Sequence, residues 1–215
     1  MALHAHAPGE SPFHVKGGIY LATQTYFAKH VDGGMASLLA EIHDPRLRAF
    51  IEQPFLASSW YDVLPVASLI DAEARAARQP LNTYLRERAR FQAKVDLGGV
   101  YKFILWLASP DSVALRLPRM LTQLFDFGRI EILHKEPRFV RAELSGFPAL
   151  LSVWYVNAFD VYCEAALKAA GAGLVGVSAS TPKIVETRLG VELASFTLDV
   201  RWSAASAAND EPPSP

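Results

Sequence analysis

The spacing of the apolar residues changes at Gly128, and this change restricts the possible fold more than any other feature of the sequence. From Val113 to Phe127 apolar residues recur at the three- and four-residue spacings of one face of an α-helix. From Ile130 to Leu144 apolar and charged residues alternate, which is typical of strands with one buried face. Because glycine often ends helices, the sequence predicts a helix that stops at Gly128 and is followed by an antiparallel hairpin.

The segments after the hairpin predict a second long helix and further strands. Residues 149–170 have an amphipathic helical pattern that ends before Gly171, and residues 173–180 suggest a short buried strand. Between Phe196 and Trp202 apolar and polar residues alternate strictly, so a shift of one residue would expose the tryptophan. The first half of the chain carries several helical patterns. We therefore expect the α+β class, with a helical N-terminal half packed with a small antiparallel sheet in the order β-β-α-β-β.

Composition divides the chain into one domain with two tails. A length of 215 residues suits one domain, and 51% hydrophobic residues are enough for a sizeable core. Residues 1–14 and 203–215 are rich in small residues and proline and contain little to bury, so we expect disordered tails at both ends. Residues 15–202 are expected to form a single α+β domain.

The charge balance and the apolar segments indicate which partners to expect. Lys plus Arg number 21 and Asp plus Glu number 22, which argues against a nucleic-acid or anionic-membrane partner. The first residues lack the basic start and apolar run of a secretory signal, and polar residues break the most apolar segment. We therefore expect a cytoplasmic protein with no membrane partner. The single cysteine, Cys163, excludes a disulfide within the chain and is interpreted as a small buried residue.

The sequence contains no recognised catalytic motif. His4, His6 and His14 could bind a metal, but they lie in the segment that we expect to be a disordered tail. Asp71 and Glu73 resemble a catalytic carboxylate pair, but side chains two apart on a helix do not face each other. We therefore interpret both as part of a solvated face, and we predict no catalytic residue, no metal, no cofactor and no enzyme activity.

Aromatic residues are concentrated on adjacent segments between residues 101 and 162. If these side chains pack around a gap, they would line a pocket for an apolar or aromatic ligand. If they pack tightly, they form an ordinary core. The pocket candidates are Tyr101, Phe103, Trp106, Phe159 and Tyr162.

The layout of several segments resembles an uncharacterised family expanded in myxobacteria. The resemblance is carried by "LPRMLTQLFDFGRIEIL", the following "GFP", a long helix ending in "AGA" and the terminal "FTLDVRW", and it covers residues 16–202. That family is similar in fold to haem nitric-oxide/oxygen-binding sensor domains, to ligand-sensing domains of the 4-vinyl-reductase-like type and to core subunits of the TRAPP vesicle-tethering complexes. The resemblance implies a fold used to bind small molecules, lipids or protein partners.

The sequence departs from the haem-binding members of that group, which carry a proximal histidine and a Tyr-x-Ser-x-Arg motif. The sequence contains no Tyr-x-Ser-x-Arg, and His134 is a poor substitute for the proximal histidine because it lies at a strand end. The last predicted strand also lacks the cysteines found in many vinyl-reductase-like domains. The resemblance therefore implies a fold and a binding role, without a haem, a metal or a catalytic residue.

Together these features predict a non-enzymatic sensor or scaffold domain that binds a small apolar ligand or a protein partner. A homodimeric protein-interaction module without a ligand is the first alternative, with a dimer face that would include Tyr20, Gln24 and Phe27. A haem-based gas sensor, or an enzyme acting on a small apolar substrate, is the second alternative.

Overall fold

A computed structural model of the chain describes residues 6–98 and 107–204. In the first half, two short strands pair antiparallel beside a run of helices. The elements of this half are β1 (His14–Lys16), α1 (Gly18–His30), α2 (Gly34–Glu41), α3 (Pro45–Glu52), β2 (Trp60–Asp62), α4 (Pro65–Ala76) and α5 (Leu81–Asp96).

In the second half, one helix precedes the strands of an antiparallel sheet along the chain, and a second helix lies between the second and third of these strands in the sequence. Its elements are α6 (Pro110–Thr122), β3 (Arg129–Glu136), β4 (Phe139–Pro148), a 3₁₀ turn (Ala149–Leu151), α7 (Ser152–Ala169), β5 (Val175–Ala179), β6 (Lys183–Arg188) and β7 (Val191–Trp202). The helical first half and the antiparallel sheet confirm the predicted α+β class. The sheet contains one strand more than predicted. The additional strand is β6, whose six residues are all exposed, so it lacks the alternation of buried and exposed positions by which a strand is predicted.

β7 is the central strand of this sheet. It pairs antiparallel with β4 on one side and with β5 and then β6 on the other, and β3 pairs with the far side of β4. Phe196 lies opposite Leu144, and Leu198 lies opposite Ala142. Phe196 and Trp202 are 2% and 6% exposed, so the predicted register is confirmed.

Gly128 lies at the start of the sheet and does not end a helix. α6 ends at Thr122, and Val15 of β1 forms an antiparallel bridge with Phe125 between this helix and the sheet. Gly128 has a φ of +70°, and a Cβ at this position would lie 2.9 Å from the ring of Phe147. Backbone conformation and ring packing therefore both require glycine here, and the prediction that Gly128 stops the helix is wrong.

The end of the predicted N-terminal tail is folded onto the domain. Ser11 and Phe13 are 3% and 2% exposed. The backbone N–H groups of Gly9 and Ser11 donate to Asp62 Oδ2 at 2.9 and 3.2 Å, and the Ser11 hydroxyl donates to Asp62 Oδ1. The composition of this segment is typical of a tail and does not reveal its hydrogen bonds with Asp62, which is distant in the sequence. The predicted end of the disordered tail at residue 14 is therefore too late. Residues 1–5 and 205–215 lie outside the described residues.

The core has two parts that share α7. Phe159 of α7 packs against Phe196 of β7 and belongs to the larger cluster, which extends to the aromatic residues of the N-terminal half. Cys163 of α7 packs with Leu117 of α6 and with Val200 of β7. None of the helices in residues 6–98 and 107–204 has the length and apolar character needed to cross a bilayer.

Candidate functional site

A cavity of about 60 Å³ lies where α1, α4 and α5 meet α7. Apolar side chains make up most of its wall, among them Leu69 of α4 and Trp154 of α7. The polar side chains at the wall include Thr23, Glu73, Arg88, Gln92 and Tyr162.

Glu73 is a buried carboxyl at this wall, with 4% of its surface exposed. The Tyr84 hydroxyl donates to Glu73 Oε2 at 2.8 Å, and the Thr23 hydroxyl forms a second hydrogen bond with the carboxylate. Burial raises the pKa of Glu73, whereas the charge of Arg88 and the two hydrogen bonds oppose this rise only in part. The protonation of Glu73 is therefore sensitive to the charge and polarity of whatever lies in the cavity.

The prediction that Asp71 and Glu73 both lie on a solvated face is wrong for Glu73. Asp71 is exposed, but Glu73 belongs to the buried stripe of α4 that includes Val66, Leu69 and Ile70. These residues are spaced three and four apart, which places them on one face of a helix. That spacing is visible in the sequence, and it is the signal that could have identified Glu73 as a buried acid.

Arg88 supplies the positive charge at the same wall. Its Nη2 donates to the Ile19 carbonyl oxygen at 3.2 Å and lies 3.5 Å from the Thr23 hydroxyl. Its Nη1 donates to Gln92 Oε1 at 3.3 Å. The Nε of Arg88 is shielded from solvent and has no hydrogen-bond partner in the described part of the chain. A buried donor without a partner is uncommon in folded proteins.

A chain of hydrogen bonds leads from Arg88 towards the end of α5. Gln92 Nε2 donates to Asp96 Oδ1, and the Tyr162 hydroxyl donates to Asp96 Oδ2, both at 2.6 Å. Burial, followed by the negative charge of Asp96, raises the pKa of Tyr162, so its phenol stays protonated and acts as a donor. The network thus joins α5 to α7 across the cavity through polar contacts.

The structure places the predicted pocket residues in different surroundings. Tyr162 lines the cavity. Phe159 is 2% exposed and packs against Phe147 and Tyr155 in the aromatic core, so it does not line the cavity. The remaining candidates, which lie outside the described residues, are Tyr101, Phe103 and Trp106.

The residues predicted for a dimer face point into their own chain. Tyr20 and Phe27 are 1% and 0% exposed. Gln24 donates from Nε2 to the Ile51 carbonyl oxygen at 3.0 Å. Because this face of α1 packs on the rest of the N-terminal half, the prediction that it forms a dimer contact is wrong.

A second, smaller cavity of about 30 Å³ lies between α6, α7 and the sheet. Its wall is apolar apart from the thiol of Cys163, which is 4% exposed. Burial, followed by the negative charge of Asp160, raises the pKa of Cys163 to about 12. The thiol therefore stays protonated and behaves as a small apolar group, as the sequence predicts.

The described histidines lie away from both cavities. His14 Nδ1 lies 2.5 Å from Asp126 Oδ2, and His134 Nε2 lies 2.8 Å from Glu136 Oε1. His30 is exposed and packs against the rings of Tyr26 and Phe91. Within residues 6–98 and 107–204, no group of three or more His, Cys, Asp or Glu side chains is placed to hold a metal ion.

Comparison with known proteins supports the fold. No protein-family model and no curated protein sequence matches the chain. Among solved structures, a Fe(II) unliganded H-NOX protein from K. algicida aligns with a TM-score of 0.60 at 10% identity, covering 87% of this chain and 96% of that chain. An oxygen-binding H-NOX domain related to soluble guanylate cyclases aligns with a TM-score of 0.57 at 10% identity, covering 91% and 96% of the two chains. The chain therefore has an H-NOX-like fold, whereas the resemblances to 4-vinyl-reductase-like and TRAPP domains remain predictions.

Proposed function

We propose that this protein is a non-enzymatic sensor or scaffold domain that binds a small ligand in the cavity between its helical half and α7. The observation that carries the proposal is the pair of opposite charges, Glu73 and Arg88, at the wall of an otherwise largely apolar cavity. The H-NOX-like fold supports it, because one of the aligned structures is an oxygen-binding domain.

The cost of burying charge is the physical reason for assigning a role to this pair. Removing a carboxylate from water costs several kcal/mol, in order-of-magnitude terms, and apolar residues of similar size often give equal or greater stability. Glu73 is buried and Arg88 is half-buried, so Glu73 in particular weakens the fold compared with an apolar wall. A ligand that uses the polar groups would account for their presence.

The state of the potential nucleophiles supports a binding role over catalysis. Burial holds the Cys163 thiol and the Tyr162 phenol in their protonated forms, which are weak nucleophiles. The Tyr162 hydroxyl is also engaged with Asp96. Tyr162 lines the larger cavity and Cys163 the smaller one, and neither group is prepared to attack a substrate.

The proposal is tested by filling the cavity without altering its charges. Ala158 of α7 lines the cavity, so Ala158→Leu should occupy part of it, while Ala165→Leu makes the same change on the same helix away from the cavity. Acetone, 2-propanol and propionate, which match the small volume of the cavity, serve as probes in thermal-shift and native mass measurements. We expect at least one probe to bind the wild type and Ala165→Leu but not Ala158→Leu. Equal binding to all three proteins, or to none of them, would remove the cavity as the functional site.

A haem-based gas sensor is the second candidate function, and the H-NOX structural neighbours favour it. The residues at the cavity do not fit this group. Haem iron takes an axial ligand from His, Cys, Met or Tyr. In the described part of the chain, the cavity wall offers of these only Tyr20 and Tyr162, whose hydroxyls are bonded to Asp62 and Asp96. The volume of about 60 Å³ is also far below the roughly 300–1,000 Å³ of typical ligand pockets.

Absorbance spectroscopy separates the two candidates. Purified protein should show no haem absorbance, and after titration with hemin it should show the broad spectrum of free hemin without the sharp band of a ligated haem. A sharp band with one hemin bound per chain would establish the haem-based sensor instead. His30→Ala and His134→Ala variants would then show whether either histidine supplies the axial ligand.

A further inference from the structure

We infer that the cavity selects small uncharged ligands whose polar end accepts a hydrogen bond from Arg88 Nε. This inference rests on the proposed function, and it adds the chemical class of the ligand. Amides, ketones and alcohols with a short apolar body belong to this class.

Charge balance at the wall is the first argument. Glu73 and Arg88 bring one negative and one positive group to the cavity. An anionic ligand would face the Glu73 carboxylate, and a cationic ligand would face the Arg88 guanidinium. Either ligand would leave one charge in the cavity without compensation, and an uncompensated buried charge is strongly unfavourable. A neutral ligand preserves the balance.

The hydrogen bonds of Arg88 give the second argument. Nη1 and Nη2 already donate to Gln92 and to the Ile19 carbonyl oxygen. Nε is buried and is the guanidinium nitrogen that makes no hydrogen bond at all with the described residues. An acceptor on the ligand would satisfy this buried donor. A carbonyl, amide or hydroxyl oxygen can accept this bond without bringing a charge.

Size and wall composition give the third argument. A volume of about 60 Å³ is less than half of the roughly 150 Å³ of an apolar cavity that holds benzene, so the cavity accommodates only a molecule of a few non-hydrogen atoms. Val66, Leu69 and Leu85 make the rest of the wall apolar. A short apolar group next to one acceptor therefore matches both the volume and the surface of the cavity.

Three molecules of the same shape and different charge test the inference. Acetamide is neutral, acetate is an anion and acetamidinium is a cation, and each is planar with four non-hydrogen atoms. Titrations followed by NMR should give a dissociation constant for acetamide at least about tenfold below those of the two ions. Acetate or acetamidinium binding as tightly as acetamide would overturn the selectivity for neutral ligands and leave the cavity as a binding site. Failure of all three to perturb residues at the cavity would overturn the inference.

The role of Arg88 has a direct readout and a matched pair of variants. The NMR signal of the Arg88 Nε–H group should shift when acetamide is added to the wild type. Arg88→Lys keeps the positive charge but lacks Nε–H, and we expect it to bind acetamide at least about tenfold more weakly. Arg86→Lys is the control, because Arg86 lies on the same helix and pairs with Asp160 outside the cavity. Unchanged acetamide binding by Arg88→Lys, or an Nε–H signal that does not respond, would overturn the role of Arg88.

These measurements distinguish failure of the inference from failure of the proposed function. If propionate binds the wild type more tightly than acetone and 2-propanol do, and does not bind Ala158→Leu, the cavity binds ligands and the preference for neutral molecules is wrong. If neither the acetamide series nor acetone, 2-propanol and propionate binds, the proposed function is wrong as well.

Discussion

The two sides of α7 differ in how they are built. One stripe of the helix, formed by Trp154, Ala158 and Tyr162, borders the cavity that contains the polar network. Another stripe, which includes Phe159 and Cys163, packs into the apolar core against the sheet. Apolar burial stabilises a fold, whereas burial of charge costs free energy. The sheet side of α7 therefore supplies stability, and the polar side is where we propose that a ligand binds.

The largest expected effect is loss of packing on the sheet side. Phe159 is 2% exposed and contacts Phe147 and Phe196 of the sheet. Phe159→Ala should lower the free energy of unfolding by about 3–5 kcal/mol, because it removes buried contacts and leaves a cavity. Urea denaturation measures this change. Val153→Ala is the control on the same helix, since Val153 is 47% exposed and should lose no more than about 0.5 kcal/mol. A loss below about 1 kcal/mol for Phe159→Ala would contradict the stabilising role of this side.

The sheet side of α7 could largely be predicted from the sequence. Alternation between Phe196 and Trp202 gives the strand, the buried face and the register, because all three follow from a period of two. Cys163 was also interpreted correctly as a small buried residue. By contrast, β6 has no buried face, and the structural role of Gly128 depends on the ring of Phe147, so neither could be predicted from local patterns.

The polar residues around the cavity, which come from α4, α5 and α7, could be predicted only in part. Tyr162 was among the predicted pocket residues, and it lines the cavity. The charged and alanine-rich composition of α4 predicts a solvated face for Glu73, although the spacing of Val66, Leu69 and Ile70 marks a buried stripe that includes it. The contacts of Arg88 with α1 depend on how two helices pack, and sequence spacing within one helix does not specify that arrangement. The network is therefore a property of the tertiary structure.

The second prediction compares two buried tyrosine hydroxyls. The Tyr84 hydroxyl donates to Glu73 in the polar network. The Tyr155 hydroxyl is buried in the aromatic core without a hydrogen-bond partner in the described residues. Tyr84→Phe should lower the free energy of unfolding by about 1.5–3 kcal/mol, because it removes a hydrogen bond to a charged group. Tyr155→Phe should change it by no more than about 0.5 kcal/mol, or increase it.

Thermal and urea denaturation of the two variants provide the measurement. Each substitution removes one oxygen atom and keeps the ring, so differences in packing are small. Equal losses in the two variants would show that the hydrogen bond to Glu73 contributes nothing beyond burial of the ring. The polar network around the cavity would then contribute no more to the free energy of unfolding than the aromatic core does at these two hydroxyls.

The third prediction concerns the dependence of stability on pH. Burial raises the pKa of Glu73 in the folded protein above its ordinary value of 4.5. The folded state therefore keeps this proton where the unfolded chain has released it, so stability contributed by the protonated form is lost as the pH rises through the folded-state pKa. Glu73→Gln cannot ionise. We expect the unfolding free energy of the wild type, minus that of Glu73→Gln, to fall as the pH rises from about 4.5 and to level off above the folded-state pKa.

Urea denaturation at a series of pH values tests this expectation. Asp71→Asn is the matched control, because Asp71 lies on the same helix and is exposed. For this control the corresponding difference should change little over the same pH range. A difference for Glu73→Gln that stays constant or rises with pH would show that the carboxyl is solvated or fully compensated by Arg88.

The last prediction concerns Cys163, on the apolar side, where the native thiol should hardly react. Cys163 is 4% exposed, and burial raises its pKa to about 12, so the nucleophilic thiolate is scarce at neutral pH. Alkylation by iodoacetamide, followed by mass spectrometry, should be at least about a hundredfold slower in the native protein than in denaturant. A native rate close to the denatured rate would show that the apolar cavity opens readily. The sheet side would then be the mobile side of α7, and the assignment of stability to that side would have to be reversed.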